Sequence, residues 1–512
     1  MLLLFQGLLW LAAPGAVTEP VAAAPDAEEL EASAELFEEI TPEKREPDPD
    51  VEQDSSDLFR ITSTTLFTAS GNEPETNLVL DETGWRVEDL LRPRRHRAYP
   101  SQAVAMYAEV SPWDWLLFRA LLDTREIRAG STLQPPLEGL AINGNQAEDE
   151  LGSNAVLREL SVMIAHGAMT VEVGRFLSDV AEGMVYRDYG AGVRVRVDLQ
   201  EAGQGPFEAE VLLTSVGQRV EELDNNGLAA LRLDWNLDLF QHVSLLMAVS
   251  EDENGEISEV LRSAYAENLL ESQQALNSLF LQDLGSGNVG YLGAMGHFIT
   301  PNHATIDTRL VLMRGKFDLS VPLEVIATPD DVLEGRDISL DVSGFALDAT
   351  VRFRLTDELD LAGHAFVLSG DTPPTADGGE YNTFIGLAPY WVWTGLFFSG
   401  GINQLFLPSR SASAGINGRG VFGFGPALEA RTDDLRGEAR TIALSASVDP
   451  PGAPVGGDGR GYGVELDLFG EWQATPWLSL GAELDLLLPG KFFPQSEPAY
   501  LAITMVTLSN GE

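Results

Sequence analysis

Six histidines, His96, His166, His242, His297, His303 and His364, are the imidazoles available for acid–base or metal chemistry in a chain of 512 residues. None lies in an HExxH spacing or an i, i+4 pair, the arrangements that place two ligands on one helix face. His297 and His303 flank the turn-like segment HFITPNH, where loop histidines need no metal. No cysteine is present, which removes disulfides, zinc–thiolate sites, iron–sulfur clusters and a thiol nucleophile. There is no GxSxG elbow, P-loop or dinucleotide fingerprint, and the glycines of GVFGFGPALE alternate with Phe422 and Phe424 as in a strand. The chain is therefore expected to be no enzyme, to hold no metal and to use no cofactor.

The charged residues suggest electrostatic work instead. In GVRVRVDL, Arg194, Arg196 and Asp198 alternate with valines; in LRLDWNLDLF, Arg232, Asp234 and Asp238 alternate with Leu and Trp. ATVRFRLT places Arg352 and Arg354 between Val351, Phe353 and Leu355. GVELDLFGEW sets Glu465 and Asp467 against Val464, Leu466 and Leu468, and LSLGAELDLLL sets Glu483 and Asp485 against Ala482, Leu484 and Leu486. A period of two puts all the charges on one sheet face and all the apolar side chains on the other. A face carrying both signs suits a water-filled lumen, and an apolar opposite face suits lipid. These twelve residues are the pore-lining candidates, with the condition that a bulge would reverse the assignment of its strand.

The elements that must carry them are roughly 16 to 18 strands of about 9–12 residues, the length a tilted strand needs to cross a bilayer. Short joints are expected at HGAM 166–169, RGKF 314–317, TDELD 356–360 and QATPW 473–477, and long polar connections at 71–100, 129–155, 370–380, 403–420 and 449–461. Trp113, Trp115, Tyr390, Trp391, Trp393, Trp472, Trp477 and Phe492 fall near strand ends, where an aromatic girdle would sit. The fold class is thus all-β: a transmembrane antiparallel β-barrel after an acidic disordered N-terminal segment. A soluble sandwich, propeller or solenoid is the rival, but no fixed repeat period is found. One stretch, 256–283, has helical spacing through Ile257, Leu261, Tyr265 and Leu269, and would fold into the lumen, lie across the mouth or cover its own apolar stripe.

Composition agrees. Acidic residues number 79 against 32 basic ones, a net charge of −47, which is the wrong sign for nucleic acid. A hydrophobic share of 44 % excludes a disordered polyelectrolyte. Residues 1–24 read as a signal peptide, an apolar run ending in Ala22-Ala23-Ala24, although the first basic residue is Lys44. Residues 25–57 read as an acidic disordered linker and 58–512 as the barrel, in the outer membrane of a gram-negative bacterium. The one dense basic cluster, Arg92, Arg94, Arg95 and Arg97 with His96, would meet lipopolysaccharide phosphates or an anionic solute, or balance nearby acids as a solvated loop.

VEVGRF at 171–176 following ELSVMIAHGAM, HAFVLSGD at 364–371 and YNTFIGLAPYWVWTGLFFSGGI at 381–402 resemble segments of porin-like outer-membrane barrels, distantly those of the alginate export family. The resemblance implies a barrel of about 18 strands and passive passage of a polar, often anionic, solute. The sequence departs from it in mixing Arg with many Asp and Glu, and in ending VTLSNGE rather than in the aromatic residue read by barrel-assembly machinery. The expected function is a porin-like channel for diffusion or export of small polar or charged solutes, with a cation preference from the net acidity. The expected partners are outer-membrane lipid and lipopolysaccharide, small polar solutes or ions and the assembly machinery, with no nucleic acid. The alternative is a non-conducting barrel that serves as a scaffold or adhesin.

Overall fold

Strands with one charged and one apolar face need a partner on each edge and different surroundings on each face, and the chain from Leu58 onward meets both needs. The computed structural model describes residues 58–71, 97–123, 127–128, 156–201, 203, 205–216, 226–238, 241–253, 256–266, 285–300, 304–322, 335–372, 374, 379–391, 393–397, 412–450, 457–493 and 498–510. The expected signal peptide, the acidic linker and the cluster Arg92, Arg94 and Arg95 lie outside these residues; of Arg97 only the backbone is described.

The main sheet has 20 strands, of which Ile127–Arg128 and Gly379–Tyr381 are short additions, leaving 18 in the ring. These are β1 (Leu58–Gly71), β2 (Arg97–Trp113), β3 (Leu116–Asp123), β4 (Val156–His166), β5 (Met169–Val180), β6 (Tyr186–Asp198), β7 (Phe207–Ser215), β8 (Asn226–Asp238) and β9 (Gln241–Glu253). They continue as β10 (Ser286–Ile299), β11 (Ala304–Pro322), β12 (Gly335–Thr356), β13 (Leu359–Leu368), β14 (Val421–Arg431), β15 (Leu435–Ser445), β16 (Gly461–Thr475), β17 (Leu478–Pro489) and β18 (Ala499–Ser509). Each pairs antiparallel with the next, and β1 closes the ring on β18, from Thr62 opposite Ser509 to Gly71 opposite Tyr500. The Asn510 side chain fastens the seam, donating to the Phe59 carbonyl at 2.8 Å and accepting from the Ile61 amide at 3.1 Å. A closed ring leaves no edge and satisfies the backbone internally, the requirement for a sheet in hydrocarbon.

Every second connection is short, two to eight residues: 114–115, 167–168, 199–206, 239–240, 300–303, 357–358, 432–434 and 476–477. The joints expected at 166–169, 356–360 and 473–477 are among them. The one expected at RGKF 314–317 is not, because these residues lie inside β11, paired with β10 and β12 throughout. The long connections gather at the other end of the barrel, and 370–380 and 403–420 belong to a single excursion between β13 and β14.

Outside, the strands carry a belt of exposed Leu, Val, Phe and Met, including Leu231, Leu245, Met247, Leu292, Leu312, Phe353, Phe424, Leu468 and Leu484. Trp113 and Trp115, stacked at 5.5 Å, and Trp472 and Trp477 border the belt at the short-turn end as the expected girdle, and Trp235, which the girdle reading did not include, joins them. Tyr390, Trp391, Trp393 and Phe492 depart from that expectation: they lie in inward-folded connections, Tyr390 half-buried and the others buried, with Trp391 only 2 % exposed. Leu231 lies near the middle of the belt at 45 % exposure. Leu231→Arg is expected to cost about 2–4 kcal/mol in a bilayer, as a cation on the lipid face at mid-depth does. Urea titration of the folded protein in vesicles measures it; in detergent, where the headgroup is more yielding, the loss should shrink.

Toward the long-connection end the code inverts. On β11 the outward positions change from Leu312 to Arg314, Lys316 and Asp318, and on β12 they are Asp337, Ser339 and Asp341, all exposed. Opposite them, Phe317, Leu319, Ile338, Leu340 and Val342 point inward and are buried. Here the barrel behaves as a soluble protein, polar outside around an apolar core. That core is filled by the helix α1 (Glu256–Ala266), the β5–β6 hairpin and the β13–β14 excursion. Ile257, Leu261, Ala264 and Tyr265 of α1 are buried in it, and the Asp252 carboxylate caps the helix by accepting from the Ile257 and Ser258 amides. The described part of the expected 256–283 helix thus packs inward rather than covering its own stripe on the surface; 267–283 lie outside the described residues.

Candidate pore lumen

Because inward side chains of neighbouring strands stand about 5 Å apart, the alternation that turns charges inward also brings opposite charges together across the ladder. Near mid-height these pairs form a belt. Arg119 of β3 meets Glu109 of β2 at 3.0 Å. Arg194 of β6 bridges Glu172 of β5 at 2.9 Å and Glu210 of β7 at 3.7 Å, donates to the Leu177 carbonyl at 2.7 Å, and lies 4.6 Å over the Phe176 ring. Arg196 meets Glu210 at 2.6 Å. Arg232 meets Asp234 at 2.7 Å, and the Ser244 hydroxyl donates to the same carboxylate.

The belt continues through His242 and His297, stacked at 5.4 Å, to Asp307, 2.6 Å from the His297 Nδ1. Arg352 of β12 then joins Asp307 at 2.7 Å to Glu429 of β14 at 3.1 Å, and Arg440 of β15 joins Glu438 at 3.5 Å to Asp467 of β16 at 2.9 Å. Asp348 accepts from Arg309 at 2.9 Å.

The sequence candidates divide along this map. Arg194, Arg196, Arg232, Asp234, Arg352 and Asp467 belong to the belt. Arg354 is more exposed toward the short-turn end, 3.5 Å from Asp360. Asp198 sits at its strand end and caps the following turn, accepting from the Gln200 and Glu201 amides. The β8–β9 register slips at Leu237, so simple alternation does not place Asp238, whose side chain is outside the described set. Glu465 and Asp485 face inward but are 0 % exposed, covered by the β13–β14 excursion rather than lining open water. Glu483 is also buried, and Asp467 stands directly opposite Asp485 in the register, so this sector of wall is rich in carboxyls.

The covering segment, 381–397, is the main feature that alternation missed. It opposes the β5–β6 hairpin, where the Leu387 amide donates to the Val185 carbonyl at 2.8 Å and the Tyr390 amide to the Gly183 carbonyl at 2.7 Å. Ala181 and Glu182 of that hairpin hold positive φ values of 59° and 51°, a strained pair costing of order 1–2 kcal/mol each. The Trp391 indole donates to the Met184 carbonyl, and the Trp393 indole, stacked on Phe366 at 4.3 Å, donates to Asp348. The Leu396 and Phe397 amides then donate to the Glu465 carboxylate on the β16 wall. Gly395 lies against Asp485, where a Cβ would force the carboxylate to shift. The described residues of YNTFIGLAPYWVWTGLFFSGGI, 381–391 and 393–397, therefore enter the barrel as an inward loop, their aromatic residues filling the apolar upper interior.

The adjoining 446–460 connection is clasped by Arg460, 2.7 Å from Asp449, and by Arg419, which donates to the Asp449 carbonyl at 2.7 Å. The hydrogen bond and charge of Arg460 hold the Asp449 carboxyl below its usual range, so this clasp is intact at neutral pH and loosens as pH falls through that lowered value. No helix of the described residues is long and apolar enough to cross a membrane.

No protein-family model matches the chain, and no curated protein does. Among solved structures, the chain is similar to OccK11 (OpdR) of Pseudomonas aeruginosa, with 11 % identity over 88 % of this chain and 95 % of that one, at a TM-score of 0.46. It is similar to OccAB4 of Acinetobacter baumannii, with 10 % identity over 89 % and 99 %, at 0.47. It is also similar to the outer membrane protein OpdK of Pseudomonas aeruginosa, with 9 % identity over 88 % and 98 %, at 0.45. At this distance the 18-strand barrel rests on its own hydrogen-bond register, not on these neighbours.

Proposed function

We propose that the chain is an outer-membrane porin-like channel of a gram-negative bacterium, passing small polar or charged solutes by diffusion, with segment 381–397 setting its constriction. One observation carries this reading: at the same height the closed barrel shows an apolar belt outside and a belt of paired charges inside. A soluble barrel would show the reverse, as this one does above the belt. Acidic groups outnumber basic ones along this part of the inner belt, where Asp307, Glu429, Glu438 and Asp467 share Arg352 and Arg440, and such an excess favours cations because fixed charge in a narrow lumen raises the local concentration of its counter-ion. It speaks against the anionic polymer implied by the resemblance to the alginate export family. Lipid and lipopolysaccharide surround the belt in this reading, and assembly machinery inserts it. No catalytic role is assigned.

Single-channel recording of the refolded protein in a planar bilayer, with heat-modifiable gel migration as the folding control, tests the reading. Steady current steps are expected, with a reversal potential in a salt gradient of the sign for cation preference. Anion preference would refute the selectivity. A folded, inserted barrel without current would favour the scaffold alternative, which has an observation of its own in the apolar packing of α1 and 381–397 inside the barrel.

A further inference from the structure

Below the covering segment, on the short-turn side, three neighbouring strands turn ligand-type side chains to the same patch of inner wall. His364 comes from β13, Glu429 from β14 and Glu438 from β15, and one ligand atom of each lies within 4.8 Å of the others. Glu429 and Glu438 are directly opposite in the register, a like-charge pairing that destabilises a sheet unless something between the carboxylates compensates. The guanidiniums present compensate only in part. Arg352 is shared by Asp307 and Glu429, and Arg440 by Glu438 and Asp467, so four carboxylates face two cations. The excess is two negative charges, the complement of one divalent ion.

The histidine supplies the second observation. Its Nδ1 lies 3.1 Å from the Thr350 hydroxyl, which fixes the ring, while its Nε2 is buried without a hydrogen-bond partner. A metal-binding imidazole is held in this way, with one nitrogen bonded to a neighbour and the other presenting its lone pair to the ion. Both glutamates remain about a quarter exposed, so an ion would reach the patch from the interior.

We propose that His364, Glu429 and Glu438 form an inner-wall site for a divalent first-row transition ion, with Zn²⁺ as its representative. One nitrogen and two carboxylate oxygens are the donor set of such ions rather than of calcium or magnesium, and three protein ligands leave a fourth position open. Bonds of about 2.0–2.2 Å in a tetrahedron put ligand atoms roughly 3.3 Å apart, so atoms within 4.8 Å of one another close by at most about 1.5 Å on binding, within reach of glutamate rotamers. Thr350 is a positioning residue, and Arg352 orients Glu429. Sequence spacing gave no sign of this site because its ligands are far apart along the chain and meet only through the register.

The test is isothermal titration of zinc chloride into the refolded full-length protein, repeated with Co²⁺ to read the visible bands of a low-coordinate site. The wild type is expected to bind one equivalent. His364→Asn and Glu438→Gln are each expected to weaken binding at least about ten-fold, and Thr350→Val by about ten-fold, with barrel folding retained. If one variant fails to fold, the other two carry the test. Equal zinc binding by wild type and the folded variants, or none by the wild type, overturns the site. The inference rests on the strand register and not on conduction: zinc binding without current would leave the site standing and remove the pore, while current without zinc binding would do the opposite.

Discussion

Replacing residues 384–397 with a short Gly–Ser connection raises single-channel conductance several-fold while leaving the barrel folded. The segment spans the interior from the β5–β6 hairpin to the β16 wall, and Phe384, Trp391, Trp393 and Phe397 fill the space between. None of these contacts belongs to the ring of strand pairs, which closes through β1 and β18 without them. Conductance follows the narrowest cross-section, so removing what occupies it dominates any change at the wider wall. The excision also uncovers Glu465 and Asp485, and the cation preference is expected to strengthen as these carboxyls meet water. A smaller perturbation separates the two effects. Trp393→Ala removes a buried indole at a cost of about 3–5 kcal/mol and loosens the segment without shortening it, so the open level should fluctuate rather than rise steadily. Recordings in planar bilayers decide this: unchanged conductance after a verified excision would show that the segment does not set the constriction.

The barrel was legible because alternation is a local signal. Val193, Val195 and Val197 against Arg194 and Arg196 state two faces within six residues, and HGAM, TDELD and QATPW mark tight turns for the same local reason. Where reading failed, a code changed along one element. β11 replaces outward leucines by Arg314 and Lys316 above the apolar belt, which imitates a polar joint although the strand continues. The aromatic run 381–397 has strand-like composition, yet the partners of its described residues include carbonyls of the β5–β6 hairpin and the carboxylates of Asp348 and Glu465, three distant parts of the chain. Which charges face inward could be read from spacing; which meet could not. Glu172 and Arg194 are 22 residues apart and Arg352 and Glu429 are 77 apart, and only the register makes them neighbours. The same holds for the covering of Glu465 and Asp485, which depends on a loop arriving from elsewhere.

Arg194→Ala is expected to be the most damaging single substitution in the belt, lowering unfolding free energy by about 3–5 kcal/mol, the cost of leaving a buried carboxylate without its cation. Arg194 is 14 % exposed, and its guanidinium serves Glu172, Glu210, the Leu177 carbonyl and the Phe176 ring together. Glu210 keeps Arg196 after the change, whereas Glu172 keeps the Ser161 hydroxyl at 3.0 Å and the more distant charge of Arg119. The damage should therefore concentrate on Glu172, and the Arg194→Leu/Glu172→Gln double variant should recover most of it, because removing both charges also removes the desolvation that their pairing offset. Arg194→Lys should recover little, since an ammonium cannot span two carboxylates and a carbonyl in one plane. Urea titration in vesicles followed by tryptophan fluorescence gives all four stabilities under one condition. A loss below about 1 kcal/mol for Arg194→Ala would mean that water in the lumen solvates Glu172 as well as the guanidinium does, and that the belt is a wet surface network rather than a structural one.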